Sequence, residues 1–132
     1  MADDSEVLRS KRRRQRRYLS GLAAERLAAI WLTFKGYKVL GRRVRTASGE
    51  IDLIAVRGRR LAFVEVKQRR NLGAAEAAIQ SHQRQRVRQA AELWLSRQRK
   101  FQEHEIGFDL VFLLPWRWPQ HIKNGLSDHE LR

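Results

Sequence analysis

The stretch GEIDLIAVRGRRLAFVEVKQRR, from Gly49 to Arg70, decides how this chain is read. Apolar alternation on either side of Gly58-Arg59 describes two strands joined by a tight turn. On the first strand Ile51, Leu53 and Ala55 share one face, and Glu50, Asp52, Ile54 and Val56 the other. On the second, Leu61, Phe63, Glu65 and Lys67 share a face, opposed by Ala62, Val64 and Val66. Each strand therefore sets charge into an otherwise buried pattern, where an unpaired charge is costly. Glycine at the first central position suits a type II′ turn, which pairs Arg57 with Arg60. Counting outward places Val56 opposite Leu61, Asp52 opposite Glu65 and Glu50 opposite Lys67. A three-residue loop would offset that register by one.

Directly opposed side chains stand about 4.5–5.5 Å apart at Cβ, and like charges placed there repel. Two carboxylates held that close share a proton, find a cation or coordinate a metal. Oxygen ligands of this kind suit a hard divalent ion such as Mg²⁺. Lys67 lies two residues from Glu65 on the same face and adds a fixed positive charge beside the pair. Charge spacing alone leaves a simpler reading in place, a salt-bridged Asp52, Glu65 and Lys67 cluster that ties the hairpin together.

A length of 132 residues is that of one domain with one sizeable core. No apolar run approaches the roughly 20 residues of a membrane helix, so no membrane partner is expected. The amino terminus is charged where a secretory signal would be apolar, and export is not expected. The chain has no cysteine, which excludes disulfides and thiolate metal sites and agrees with a cytoplasmic location. His82, His104, His121 and His129 lack metal-ligand spacing and read as surface or cap groups. The net charge of +14 favours a polyanionic partner. The bias toward arginine suits bidentate phosphate contacts and so nucleic acid. A solvated basic surface, or ribosome association, fits the composition equally well.

Residues 1–17 are expected to be a disordered basic arm. RSKRRRQRR, with Arg12, Arg13, Arg14, Arg16 and Arg17, either binds nucleic acid or keeps the chain soluble. A helix is expected from about Tyr18 to Lys35, capped by Ser20 and stopped at Gly36. Its buried stripe is expected to be Leu19, Leu22/Ala23, Leu27, Ile30 and Phe34. Glu25 lies on the flank of that stripe and by itself reads as a solvent-facing acid. YKVLGRRVR, from Tyr37 to Arg45, is a strand with a bulge or bend at Gly41. Its Arg42 and Arg43 either hold phosphates or sit on a wet sheet face.

Asn71 and Gly73 turn the chain into a helix from about Ala74 to Lys100, buried along Ala75, Ile79, Val87, Ala90/Ala91 and Trp94. Gln83 falls on that stripe, where an apolar residue would be simpler. EIGFDLVFLL, residues 105–114, is a strand buried on both faces. Asp109 within it reads as structural, capping or pairing an arginine. In the tail, residues 115–132, Trp116 and Trp118 are expected to cover an edge of the core in preference to stacking on bases. The element order is αβββαβ, an α/β fold with a mixed sheet flanked by helices over residues 18–114.

Taken together, Glu25, GEIDLI at Gly49–Ile54, FVEVK at Phe63–Lys67 and FDLV at Phe108–Val111 resemble the YraN-like family of restriction-endonuclease-like nucleases. The signature of that superfamily is an Asp followed across a hairpin by Asp/Glu-x-Lys. The resemblance covers roughly Leu19 to Leu113, and archaeal Holliday-junction resolvases are similar. It implies a DNA nuclease using Mg²⁺ or Mn²⁺. Asp52, Glu65, the Val66 carbonyl and Glu25 would be the metal ligands, and Lys67 would orient water or stabilise charge. Gln83 stands in the site where the family has a lysine, while Arg86, one turn on, keeps a basic residue. Arg69 and Arg70 join the arm, Arg42, Arg43 and Arg86 as phosphate contacts. Such contacts position without reading sequence, so a structure-selective nuclease of DNA, in preference to RNA, is the expectation. The alternative is a nucleic-acid-binding protein that retained the fold without catalysis, which Gln83 favours. A homodimer is compatible with the sequence, whose one interface signature is the aromatic tail.

Overall fold

A computed structural model describes Ser5, residues 20–69 and residues 81–126, with only the backbone for 81–84. The arginines expected to bind phosphate at positions 12–17, Arg70, and the Gln83 side chain lie outside the described residues.

The first helix, α1, runs Gly21–Phe34. The Ser20 hydroxyl accepts from the Ala23 N–H at 3.1 Å and caps it. Gly36, at φ +95, lets the helix close in a Schellman motif. The Gly36 N–H bonds to the Thr33 carbonyl and the Tyr37 N–H to the Leu32 carbonyl, both at 3.0 Å. The boundaries agree with the sequence; the buried face does not. Ala24, Glu25, Ala28, Ala29 and Leu32 turn inward, and the expected core residues Leu22, Leu27, Ile30 and Phe34 are exposed. Small residues win because the inner face packs on Leu53, Ala55, Ala62, Val64 and Val111 of a sheet, where methyl groups allow the closest approach.

Strands β1 (Lys38–Thr46), β2 (Gly49–Arg57) and β3 (Arg60–Gln68) follow as an antiparallel meander. A bulge lies between Val39 and Gly41, as expected from the glycine. The hairpin keeps its inferred register, Arg57 opposite Arg60 and Val56 opposite Leu61, as far as Leu53 and Val64. Gly58 takes φ +57 while Arg59 stays out of the left-handed region, the requirement of a type II′ turn. Helix α2 (Ser81–Ser96) buries Val87, Ala90 and Ala91 on the face opposite α1, with Trp94 partly covered. Ala75 and Ile79 lie outside the described residues. The helix stops short of Lys100, and a 3₁₀ turn at Arg99–Phe101 brings Phe101 into the core, stacked on Trp94 at 5.7 Å.

Strand β4 (Glu105–Leu113) pairs parallel to β3. A fifth strand, β5 (Gln120–Ile122), pairs antiparallel to β4, a strand that the αβββαβ reading lacked. The sheet order is β1-β2-β3-β4-β5, and the α/β class with a mixed sheet between helices is as expected. The tail buries Leu126, while Trp116 is fully exposed and Trp118 is 75% exposed, so they do not cover the core as expected. Among the described residues no helix is long and apolar enough to cross a membrane.

Asp109 is wholly buried and structural, as its place in the strand suggested. Arg60 Nη1 and Nη2 donate to its two oxygens at 2.7 Å each, and the Asn124 N–H donates at 2.8 Å. Lys35 Nζ donates to His121 Nδ1 at 2.6 Å, so Nε2 carries the proton that bonds Asp109 Oδ2 at 2.8 Å. His121, its side chain nearly buried, is thus not a surface histidine. Burial alone would push the Asp109 pKa up, but the bonds from Arg60, His121 and Asn124 outweigh it and hold it at about 2. A depressed carboxylate contributes stability above its unfolded pKa, which is lost as pH falls from about 4 through about 2. Asp109→Asn leaves Arg60 buried without its countercharge, and a loss of about 3–5 kcal/mol is expected in urea denaturation at pH 7. A variant as stable as wild type there would remove Asp109 as the tie between β3, β4 and β5.

Candidate metal centre

Charge gathers at the open end of the β2–β3 hairpin. In a regular ladder the Val66 N–H would go to the Ile51 carbonyl. It donates instead to Asp52 Oδ2 at 2.8 Å, and the paired register ends two residues earlier, at Leu53 and Val64. On the other side of β2, Arg43 takes φ +49, between the pairs Arg42–Leu53 and Val44–Ile51. Opposite it, at Asp52, the alternation of faces in β2 breaks. Ile51, expected to share a face with Leu53, packs with Ile54 in the cluster under α2 while Leu53 packs under α1.

Beside this break, carboxylates from α1 and β2 meet. Oxygens of Glu25, Glu50 and Asp52 all lie within 4.8 Å of one another. Glu25 is only 8% exposed, not the solvent-facing acid that its flank position suggested, because α1 turns it toward the sheet. Arg43 Nε donates to Glu25 Oε2 at 2.7 Å, which raises the Arg43 pKa. Arg45 Nε stands 3.6 Å from Glu50. Glu65 is not a member of the close group. It pairs with Lys67 at 3.1 Å, both side chains largely covered, and the charges of both are felt at Asp52.

Glu50 is the residue that sequence reasoning passed over. Its signal was its place two residues from Asp52 on the same face, but the inferred register assigned it to Lys67. The arginines sort differently. Arg42 lines a cavity of about 230 Å³ with Glu25, Arg26 and Arg43. Arg43 is taken up by Glu25. Arg69 donates to the Gln68 carbonyl, and Arg86 is exposed on α2, across the sheet from α1.

Burial pushes the Asp52 pKa up to about 6, with Glu65 and Glu25 adding to the rise and the Val66 N–H and Lys67 opposing it. An all-oxygen set of crowded carboxylates is the donor set that a hard divalent cation fits, although Arg43 and Arg45 already offset two of the three. In the metal-free protein the raised pKa makes the protonated form the stabilising one. That stability is present below about pH 4 and lost as pH rises through about 6, at a cost of about 3 kcal/mol. Asp52→Asn keeps an acceptor for Val66 without the charge. In chelator it is expected to exceed wild type in stability at pH 8 by about 2–3 kcal/mol, and by far less near pH 4. Equal or lower stability of the variant at pH 8, measured by urea denaturation, would refute the strained-carboxylate assignment.

The model of a family described as uncharacterised protein family UPF0102 matches residues 24–113. A UPF0102 protein of Mesorhizobium japonicum is 50% identical over 112 residues, covering 85% of this chain and 90% of that protein. One of Bartonella tribocorum is 46% identical over 112 residues, covering 85% and 86%. One of Bartonella bacilliformis is 39% identical over 120 residues, covering 91% and 98%.

Proposed function

The chain belongs to the UPF0102 (YraN) family, within the restriction-endonuclease-like superfamily, and from that premise we propose that it is a metal-dependent nuclease of DNA. The observation that carries this reading is the meeting of Glu25, Glu50 and Asp52 oxygens within 4.8 Å, beside Glu65 and Lys67. Those three carboxylates would hold Mg²⁺ or Mn²⁺, with Glu65 and the Val66 carbonyl as further ligands by family resemblance. A divalent ion so bound polarises a phosphoryl group and lowers the pKa of a bound water.

The protein's own groups supply the rest. Lys67, steadied by Glu65, keeps a positive charge beside the cluster, where it stabilises charge growing on phosphoryl oxygens or orients the attacking water. Arg26 and Arg42 flank the cavity that Glu25 lines and suit a backbone phosphate. Contacts of that kind carry no sequence information, which favours recognition of a branch or flap over a base sequence. A second reading, nucleic-acid binding without catalysis, is favoured by the Arg43–Glu25 pair, which neutralises one carboxylate from within the protein.

Both readings give salt-sensitive DNA binding, so cleavage separates them. Wild type is expected to cut branched or flapped DNA in Mg²⁺ or Mn²⁺. Asp52→Asn, Glu50→Gln and Lys67→Ala should each slow it on the order of a hundredfold or more while still binding DNA. Wild-type cutting no faster than that of Asp52→Asn, across both metals and all substrates, would end the nuclease reading.

A further inference from the structure

Helix α1 carries more apolar surface than the sheet covers. Its inner face is alanines and Leu32, and its outer face presents Leu27 at 40%, Ile30 at 62% and Phe34 at 89% exposure. A helix apolar on both sides is ordinarily one with both sides buried. That outer face is shaped. Ile30 and Phe34, one turn apart, form a ridge between two troughs. One trough, about 700 Å³, lies against Leu27, Trp31, Trp118 and Pro119. The other, about 620 Å³, runs past Ala29, Thr33 and Val39 to Arg26 and Arg42. Trp118 stacks on Trp31 at 5.5 Å and carries the patch onto the segment before β5.

We propose that a second copy of this chain covers this face, the α1 helices of two protomers crossing so that each Ile30–Phe34 ridge lies in the other's trough. Packing of two i±4 rows in this way is the commonest helix–helix arrangement in globular proteins. A two-fold dimer requires one patch that holds both the projecting and the receiving part, and this patch holds both. The area agrees. Allowing about 150–250 Å² per aromatic side chain, Phe34, Trp118 and part of Trp31, with Leu27 and Ile30, offer on the order of 600 Å² per protomer. That is the upper end of what monomers leave open, and closing the rim brings it toward the roughly 800 Å² per partner of a stable interface. A polyanion fits the Trp118 trough poorly, because no cation lines it; the cations of the patch, Arg26 and Arg42, stand at the end of the other trough. A flat lipid surface would touch the ridge and leave both troughs unfilled.

The interface makes a signed prediction. Each chain carries +14, so the copies repel and added salt should tighten their association. Association bridged by nucleic acid would weaken instead. Sedimentation equilibrium of the nuclease-treated full chain is expected to reach twice 15.6 kDa, more readily at higher salt. Ile30→Glu and Phe34→Glu, at exposed positions, should each weaken the dimer by about tenfold or more with unchanged circular dichroism. Trp116→Ala, exposed but outside both troughs, should leave it intact. A single-chain mass at every concentration, a dimer that survives Ile30→Glu with Phe34→Glu, or an equal effect of Trp116→Ala would each overturn the proposal. So would loss of vesicle or DNA binding by these variants in a protein that stays a single chain.

Discussion

The close approach of α1 to the sheet is the constraint on which the rest of the molecule depends. Ala24, Ala28 and Ala29 offer nothing larger than a methyl group, so the helix axis lies low over Leu53, Ala55, Ala62 and Val64. Interiors pack to crystal-like density, and a larger side chain at those positions would have to lift the helix. One consequence is chemical: Glu25, on the same inner face, is carried down to the carboxylates of β2. The other is steric: Leu32 apart, the large apolar residues Leu22, Leu27, Ile30 and Phe34 are left facing outward. The acidic cluster and the exposed ridge are two sides of one packing choice.

A buried carboxylate and a half-buried one show opposite uses of charge. Asp109 is surrounded by donors from Arg60, His121 and Asn124, and its ionised form is favoured. It ties three strands together near the turn end of the hairpin. Asp52, at the open end, has one backbone donor and like charges for neighbours, and its ionised form is disfavoured. A protein that can satisfy one buried acid so completely leaves the other strained at a cost to its own stability. Such local inconsistency is concentrated where a site needs it.

The element order from α1 to β4, the hairpin register around Gly58 and the parallel return of β4 were legible because alternation and turn chemistry are local. So was Asp109, a lone acid in an aliphatic run. The inner face of α1 was misjudged because size was taken as the mark of burial, whereas against a sheet small residues compete well. Strand β5 is three residues long with prolines before it, too short to leave a period. Glu50 was visible but assigned to Lys67, since counting outward from the turn gives no sign that the β2–β3 ladder ends at Leu53 and Val64.

By itself the sequence determined which groups would be charged, where α1 and strands β1 to β4 would lie, and how the hairpin would turn, because each follows from neighbours along the chain. Only the tertiary structure decided which acids meet. That depends on the depth at which α1 packs and on where the pairing of β2 with β3 ends, and both are settled by contacts between separate elements.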